Sequence, residues 1–185
     1  MKIGLFGGVF NPPHIGHILV AQQVLDFTDL DEVWFLPSYG QHPPKPGVAT
    51  VEHRLLMTKM LVVPKTRTST LEIDHKLNGN TINLIPYLLK EHQFTFIMGA
   101  DWLPSFQFWG RWQELLAAMP FLIFPRNGYR NEPLYQNMRL LEHPILMTSN
   151  ISATKIRERI KNGLSIEQFV PEGIAVYIKK HGLYQ

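Results

Sequence analysis

Apolar and polar positions alternate along the chain so that short apolar runs are separated by stretches with helical spacing. Runs rich in β-branched and aromatic residues predict strands at 2–6, 32–36, 67–73, 94–99, 121–124 and 145–148. Apolar residues at helical spacing between them predict helices at 17–27, 51–61, 81–91 and 111–118. Pro86 lies inside the third of these helices, which we therefore expect to be kinked or to start late. Strands that alternate with helices are typical of βαβ units around a parallel sheet.

The end of the chain carries helical patterns with no further strand between them. We expect helices at 152–161 and 165–169, and a third that Pro171 opens and that runs to about residue 180. Asn162-Gly163 is a typical helix stop. The sequence therefore predicts the α/β class, a Rossmann-like doubly wound parallel sheet with a C-terminal helical segment, in one domain over 1–185.

Composition narrows the classes of protein that the chain can be. With 45% hydrophobic and 18% charged residues it can bury a core without disulfides, and it has no cysteine to form them. The formal charge of +3 is spread along the chain, so we expect small anionic ligands and no nucleic acid as partner. Residues 1–6 are too short an apolar run for a signal peptide, and no stretch is apolar enough to span a bilayer. We therefore expect no membrane partner and a cytoplasmic location.

The loop after the first predicted strand holds the densest set of ligand-binding signals, GGVFNPPHIGH at residues 7–17. In a doubly wound sheet this turn lies at the carboxyl edge, where ligands bind. Its glycines let the backbone approach a ligand, and a helix start offers N–H groups and a positive dipole end to a phosphate. His14 and His17 are three residues apart, so both can face one phosphate, which favours protonated imidazoles. A glycine pair or a histidine alone is explained as well by a simple turn.

The whole string resembles the Gly-Gly-x-Phe-Asp/Asn-Pro-x-His-x-Gly-His motif of the nicotinate and nicotinamide mononucleotide adenylyltransferases. These enzymes belong to the nucleotidyltransferase superfamily with the His-x-Gly-His signature. The resemblance implies that His14 and His17 are catalytic and bind ATP, and that Asn11 binds the acceptor. It implies further ATP contacts from the residues before them, Gly7, Gly8, Val9 and Phe10.

A second candidate phosphate site is NISATKIR at residues 150–157, which we place after a strand and at the start of a helix. Ser152 is a typical N-cap residue, and Thr154 and Arg157 are three apart on one helix face. By itself this is equally a capped amphipathic helix with a solvated arginine. The same family has Ile-Ser-Ser/Ala-Thr-x-Ile-Arg here, which implies that Ile151, Ser152, Thr154 and Arg157 bind ATP. It also implies that Thr154 and Arg157 are catalytic and that 151–185 complete the ATP phosphate site.

Candidates for the remaining contacts lie between the two phosphate motifs. Gly99 and Asp101 end a predicted strand at the sheet's carboxyl edge, where a carboxylate can accept hydrogen bonds from ribose or cap a helix. A matching Gly-x-Asp in the family implies that both bind ATP. Five aromatic residues then follow within eleven positions, and we expect most of them to be packing residues, namely Trp102, Phe106, Phe108, Trp109 and Trp112.

The resemblance also implies contacts to the acceptor nucleotide. One aromatic residue is expected to stack on the pyridine ring, and its spacing from the Gly-x-Asp indicates Trp109, with Trp112 as the alternative. Thr81 matches a threonine that contacts the nicotinate nucleotide, although a lone threonine is usually a helix cap. Lys45 matches a basic residue that reaches toward the phosphates. The order His42-Pro43-Pro44-Lys45 departs from the family's Pro-Pro-His-Lys, so the alignment of His42 and Lys45 stays open.

The implied function is transfer of AMP from ATP to nicotinate mononucleotide, which gives nicotinate adenine dinucleotide and pyrophosphate in NAD biosynthesis. We expect Mg²⁺ to be held mainly by the ATP phosphates, since the sequence has no acidic cluster to hold it. The alternatives are nicotinamide mononucleotide as preferred acceptor, or another nucleotidyltransferase such as a phosphopantetheine adenylyltransferase or a cytidylyltransferase. A nucleotide sensor without turnover and, from the pI of about 9.2 alone, a nucleic-acid-binding protein are further alternatives. The oligomeric state is left open.

Overall fold

A parallel sheet forms the centre of the protein. The structure is a computed structural model that describes residues 1–40 and 47–185. Within these residues six strands form one sheet, namely β1 (Lys2–Gly8), β2 (Glu32–Pro37), β3 (Thr66–Thr68), β4 (Gln93–Gly99), β5 (Phe121–Phe124) and β6 (Met138–Leu140). Their order is β3-β2-β1-β4-β5-β6, and every neighbouring pair is parallel. The predicted Rossmann-like doubly wound sheet is confirmed.

Helices cover both faces of this sheet. The α-helices are α1 (Ile15–Phe27), α2 (Val51–Thr58), α3 (Leu71–Asp74), α4 (Trp112–Ala118), α5 (Ala153–Lys161) and α6 (Glu172–Lys180). Two 3-10 helices span Thr81–Tyr87 and Ala100–Phe108. The predicted helices at 17–27, 51–61, 111–118, 152–161 and 171–180 are confirmed to within a few residues. Along the described chain, none of these helices has the length and apolar character needed to cross a membrane.

Side chains along each strand alternate between two apolar clusters. Ile3 and Leu5 of β1 are fully buried in one cluster with the two 3-10 helices and α4, on what we name the Leu5 face. Ile97 of β4 is fully buried in the other cluster with α1, α2, α5 and α6, on what we name the Ile97 face. The two faces meet only at the strand ends, so an edge of the sheet is where residues of both can approach one ligand.

The chain changes direction across the sheet next to β1, and this places a crevice at the carboxyl edge. From β1 it continues to β2 and β3 on one side, and it then returns to β4 on the other. Connections that leave adjacent strands in opposite directions open a cleft beyond the strand ends. Gly7 and Gly8 end β1 and Gly99 ends β4, so all three predicted ligand-binding glycines lie at this cleft.

Two predicted strands were wrong in whole or in part. The run 67–73 forms only β3, because the Thr70 carbonyl accepts hydrogen bonds from the Ile73 and Asp74 amides and starts α3. The run 145–148 is not a strand, and the sixth strand is Met138–Leu140 instead. Ile145 and Met147 are 69% and 63% exposed, so this apolar run is not a core strand.

Three helical predictions also differed. The predicted helix 81–91 is the shorter 3-10 helix Thr81–Tyr87, which contains Pro86. The run 165–169 forms a turn and no helix. The 3-10 helix Ala100–Phe108 was not predicted, because Pro104 interrupts its sequence pattern.

Candidate active site

The loop after β1 is held in place by a buried arginine. Arg54 of α2 is 1% exposed, and its Nη1 donates a hydrogen bond to the Val9 carbonyl at 2.9 Å. The same guanidinium donates to the carbonyls of Ala49 at 3.1 Å and Tyr39 at 3.3 Å. Burial lowers the pKa of Arg54 from its ordinary value. The hydrogen bonds of Arg54 therefore hold the backbone of the loop after β1 in place, and they bring a positive charge next to it.

Asn11 is buried in the same loop, at 5% exposure, and is bonded through its side chain and its backbone. Its Oδ1 accepts from the Ala49 amide at 3.0 Å, and its Nδ2 donates to the Gly47 carbonyl at 3.4 Å. Phe10 before it adopts a left-handed φ of 50° and packs its ring against His17 with centroids 4.8 Å apart. Phe10 and Asn11 therefore line the inner side of the loop, next to the start of α1.

The two histidines of the first motif lie against each other. His14 is the N-cap residue of α1, is 3% exposed, and has its ring centroid 3.8 Å from that of His17. The His14 backbone N–H donates to His17 Nδ1 at 3.0 Å, so a neutral His17 carries its proton on Nε2. A Cβ on Gly16 would lie 2.9 Å from His14 Nδ1, so only glycine fits beside this ring. The expected pairing of the two imidazoles is present.

Burial lowers the pKa of both imidazoles, so each is neutral near pH 7 unless a bound phosphate favours its protonated form. Burial, reinforced by the charge of Arg126, lowers the pKa of His14 to about 3. Burial also holds the pKa of His17 well below its usual value, and the charges of His14 and Arg126 act in the same direction. Among the described residues nothing hydrogen-bonds the buried Nδ1 of His14. His14 Nδ1 is therefore buried against Gly16, while the proton of a neutral His17 lies on Nε2.

The second motif lies directly beside the first. Arg157 of α5 donates from Nη1 to the Asn11 carbonyl at 2.7 Å and from Nη2 to Thr154 Oγ1 at 3.3 Å. A Cβ on Gly16 would come within 3.7 Å of the Ile151 carbonyl. The structure therefore brings the helix starts of α1 and α5 together.

Capping fixes where α5 begins. Ser152 Oγ accepts from the Lys155 amide at 3.3 Å, as expected for an N-cap. Ile156 on the opposite side of α5 is 1% exposed and belongs to the cluster on the Ile97 face. This anchoring turns Thr154 and Arg157 toward the first loop.

A third group lies beyond β4 and β5. Asp101, in the 3-10 helix after Gly99, pairs its Oδ1 with Arg126 Nε at 3.3 Å. Arg126 comes two residues after β5, and its charge reaches both histidines. No sequence motif pointed to Arg126. The available signal was an arginine just beyond a buried strand, at the same sheet edge as the other candidates.

The two tryptophan candidates for the pyridine contact pack on the cluster of the Leu5 face. Trp109 packs edge-on against Phe96 with centroids 6.0 Å apart, and Phe96 lies 2.7 Å from where a Cβ on Gly7 would stand. Trp112 packs on Phe106 and Tyr135 instead, at 6.2 and 4.9 Å.

The remaining acceptor candidates come from other parts of the chain, and Asn80, which precedes Thr81, lies against Gly110 next to Trp109. Thr81 begins the first 3-10 helix, and Asn11 lies with the phosphate candidates through Arg157. Lys45 and His42 fall outside the described residues.

The chain end also reaches the site. The Tyr184 hydroxyl is buried without a hydrogen-bond partner in the described structure, and burial raises its pKa. Arg157 and Arg54 both act on it electrostatically, which places Tyr184 near the two arginines that hold the first loop. No sequence pattern pointed to this residue. No group of three or more metal-binding side chains occurs in residues 1–40 and 47–185.

Comparison with known proteins fixes the class and then the family. The family described as cytidylyltransferase-like matches residues 5–159, so the fold and the site define a nucleotidyltransferase. Two relatives are named "Probable nicotinate-nucleotide adenylyltransferase". The protein of Geobacillus kaustophilus is 38% identical over 99% of this chain and 86% of its own, and that of Salinibacter ruber is 36% identical over 100% and 98%. The chain belongs to the nicotinate-nucleotide adenylyltransferase family.

A solved structure shows the same fold. The Plasmodium falciparum nicotinic acid mononucleotide adenylyltransferase complexed with NaAD aligns with a TM-score of 0.83 at 20% identity. The alignment covers 99% of this chain and 97% of that one. The C-terminal helices are thus part of the shared fold.

Proposed function

We propose that the protein transfers AMP from ATP to nicotinate mononucleotide, giving nicotinate adenine dinucleotide and pyrophosphate in NAD biosynthesis. The observation that carries the proposal is the hydrogen bond from Arg157 to the Asn11 carbonyl at 2.7 Å. It joins the helix start that bears His14 and His17 to the helix start that bears Thr154 and Arg157. The names of the relatives support nicotinate mononucleotide as the acceptor.

The reaction needs no group to remove a proton from the acceptor. A phosphate monoester has a second pKa of about 6 and is mostly dianionic at neutral pH. One of its oxygens attacks the α-phosphorus of ATP. The bond from that oxygen to the α-phosphorus forms, and the bond from the α-phosphorus to the β-bridging oxygen breaks. Pyrophosphate leaves with the electron pair. Neither imidazole has to act as a base, and a neutral His17 can still donate a hydrogen bond from Nε2.

The site residues would act as donors to charge that builds up on the phosphates. His17 offers its Nε2–H, Thr154 a hydroxyl and Arg157 a guanidinium, while α1 and α5 offer their N-terminal amides. Such donors count most where water is excluded, as it is around the 3%-exposed His14. Burial and the charge of Arg126 disfavour protonation of the two histidines, whereas the negative charge of a bound triphosphate favours it. Binding of the triphosphate therefore raises the pKa of both histidines.

We further propose roles for the other candidates. Gly99 and Asp101 would bind the ATP nucleoside, whereas Asn11, Thr81, Trp109 and Lys45 would bind the acceptor. Mg²⁺ would be held mainly by the ATP phosphates, because the described residues offer no cluster of ligands to hold it. When bound, Mg²⁺ neutralises phosphate charge.

Two broader expectations belong to the proposal. Residues 151–185 form one domain with the rest and complete the phosphate site, which the Ile15 amide supports by donating to the Phe169 carbonyl at 3.0 Å. We expect the enzyme in the cytoplasm, since a chain without cysteine suits a reducing compartment.

The test is to incubate the protein with ATP, Mg²⁺ and nicotinate mononucleotide and to measure the dinucleotide and pyrophosphate. Nicotinamide mononucleotide and phosphopantetheine serve as competing acceptors. We expect equimolar dinucleotide and pyrophosphate with the nicotinate nucleotide, and loss of both when EDTA removes Mg²⁺. Binding of ATP without release of pyrophosphate with any acceptor would overturn the proposal and favour a sensor.

A further inference from the structure

Helices α2 and α6 lie side by side and antiparallel on the Ile97 face. His53 Nδ1, near the start of α2, lies 2.8 Å from the hydroxyl of Tyr177 in the second half of α6. Met60, just after α2, has its Sδ 3.5 Å from where a Cβ on Gly173 would stand, at the start of α6. Both helices bury their inner sides in the cluster of this face, so their outer sides point to solvent together.

The outer sides of the two helices carry the same order of charges. On α2, Glu52, Leu56 and Lys59 follow at i, i+4 and i+7, so they form one stripe along the helix. On α6 an acidic, an apolar and a basic residue have the same spacing, namely Glu172, Val176 and Lys179. All six side chains are exposed, and we name them together the α2–α6 face. In each stripe the acid is near the helix start and the base is near its end.

The apolar residues of the two stripes lie at the same level along the helices. The two contacts between α2 and α6 fix the offset of the helices, and this offset places Leu56 beside Val176. Leu56 is 46% and Val176 is 60% exposed, so the centre of the face is apolar. The helix dipole explains an acid at a helix start and a base at a helix end, but not the exposed apolar residue between them. Apolar side chains surrounded by charges are typical of a protein–protein interface.

The charges of the face are available to a second molecule. Among the described residues, none of Glu52, Lys59, Glu172 and Lys179 takes part in an ion pair. With Lys180 beside Lys179 the face is still close to neutral, so it does not attract an anionic membrane or a nucleic acid. Acids and bases in this regular order fit a partner that carries the reverse order.

We propose that two copies of the chain form a twofold-symmetric dimer through the α2–α6 face. The two-fold axis runs across both helices, between the copies, at the level of Leu56 and Val176. It places each helix antiparallel to the same helix of the second copy. Glu52 and Lys59 lie on opposite sides of Leu56 along α2, so each meets the opposite charge of the second copy. The acid and the base of α6 pair in the same way, because the stripes are centred at one level.

This arrangement gives an interface with an apolar centre and a charged rim. Leu56 and Val176 each pack on the same residue of the second copy, and four ion pairs surround them. The inner side of α2 carries Arg54, which holds the loop after β1, so the dimer would hold this helix from its outer side. The inference concerns assembly, and it does not depend on which reaction the protein catalyses.

The experiment measures the dimer dissociation constant of the full chain by analytical ultracentrifugation at about 1 to 100 µM. Wild type should dimerise in this range. Glu52→Lys places like charges opposite each other twice in every dimer, so the dissociation constant should rise by about 100-fold. Leu56→Asp should have an effect of similar size, because two carboxylates would meet at the axis. Circular dichroism shows that each variant is folded.

The double variant Glu52→Lys/Lys59→Glu tests the antiparallel pairing. It reverses the whole stripe of α2, so each residue meets an opposite charge again, and the dissociation constant should return to within about fivefold of wild type. Glu91→Lys is the control, since it makes the same charge change at an exposed position after the first 3-10 helix, and it should match wild type.

Three results would overturn the inference. A wild type that stays monomeric up to about 100 µM would leave the face to a different partner. A dimer that neither Glu52→Lys nor Leu56→Asp weakens would have to use another surface. A dimer that Glu52→Lys weakens and the double variant does not restore would show that Glu52 does not face Lys59 of the second copy.

Discussion

The Arg157 guanidinium donates a hydrogen bond to the Asn11 carbonyl across 146 residues of sequence, at 2.7 Å. The carbonyl belongs to the loop between β1 and α1, and the guanidinium to the first turns of α5. The second Nη of Arg157 reaches Thr154 on its own helix at 3.3 Å. The bond fixes Arg157 beside the histidine pair before any ligand binds, which is the preorganisation that charge stabilisation requires.

Arg157→Lys should lower kcat/KM by about 100-fold, the size of effect known for removal of one preorganised donor. Lysine keeps the charge but cannot bond Asn11 and a phosphate oxygen at once. Pyrophosphate release measures the loss. Arg159→Lys is the matched control, since Arg159 lies on the same helix and donates to the Ser165 carbonyl at 2.8 Å, away from the first loop. Equal losses in the two variants would contradict the assigned role.

Arg126→Ala should raise the pKa of both His14 and His17, because the variant removes a positive charge that disfavours their protonation. Burial remains, so both pKa values should stay below the ordinary histidine range. NMR titration of the imidazole protons measures the shift. We also expect kcat/KM to fall by about 10-fold or more through loss of a cation at the phosphate edge.

The stability of Arg126→Ala should change by less than about 1 kcal/mol, because its ion pair with Asp101 is partly exposed. Arg130→Ala provides the comparison, since Arg130 is exposed and pairs with Glu132 in the same loop. Its histidine titrations should match wild type. If Arg126→Ala left the titrations unchanged as well, the electrostatic link across the edge would be refuted.

The central strands could be predicted from the sequence because they are unbroken apolar runs. β5, Phe121–Phe124, matches its prediction at both ends and is buried throughout. β6 could not be found in this way, since Met138–Leu140 has only three residues and an exposed arginine in its middle. The apolar run at 145–148 was mistaken for it, because sequence alone does not tell which apolar run is buried.

The candidate site was predictable only where its signals are local. His14, His17, Thr154 and Arg157 lie in two short motifs, and the structure brings these motifs together. Arg126 and Tyr184 belong to no motif, and only the tertiary fold carries them to the site. The neutral state of the histidines follows from burial and from Arg126, and neither is visible in a local pattern.

The depressed pKa of His14 predicts that the protein loses stability in mild acid. In the unfolded chain the imidazole protonates below about pH 6.5, whereas in the folded protein it stays neutral down to about pH 3. The contribution of His14 to the free energy of unfolding is therefore fully present above about pH 6.5 and declines as the pH falls below it. Between pH 7 and pH 5 the free energy of unfolding of wild type should drop by about 2 kcal/mol relative to His14→Asn.

Urea unfolding of both proteins at the two pH values measures this difference. His143→Asn is the control, because His143 is exposed on the surface and stacks on Phe27. The free energy of unfolding of His143→Asn should change between pH 7 and pH 5 by the same amount as that of wild type. Parallel pH profiles of wild type and His14→Asn would show that the buried imidazole is not held neutral.

Glu72 should produce the opposite pH dependence. It is 4% exposed, and burial raises its pKa to about 7 although the Tyr39 amide donates to the carboxylate. From about pH 4.5 to pH 7 the unfolded chain has lost this proton while the folded protein keeps it, so stability falls as the pH rises. Glu72→Gln removes the ionisation. Its free energy of unfolding relative to wild type should rise by about 3 kcal/mol across that interval and then stay level.

The quantity to measure is the difference in free energy of unfolding between Glu72→Gln and wild type, and how this difference changes with pH. Urea unfolding at pH values between about 4.5 and 8 measures it. A glutamine N–H left without a hydrogen-bond partner in the core would change this difference by the same amount at every pH. It would not alter how the difference depends on pH. Glu142→Gln, at an exposed position, is the control and should give a flat difference. A flat difference for Glu72→Gln too would mean that this carboxyl group is ionised inside the folded protein at mildly acidic pH. Such a result would require partners that stabilise the carboxylate, whereas Oε2 of Glu72 has no hydrogen-bond partner among residues 1–40 and 47–185.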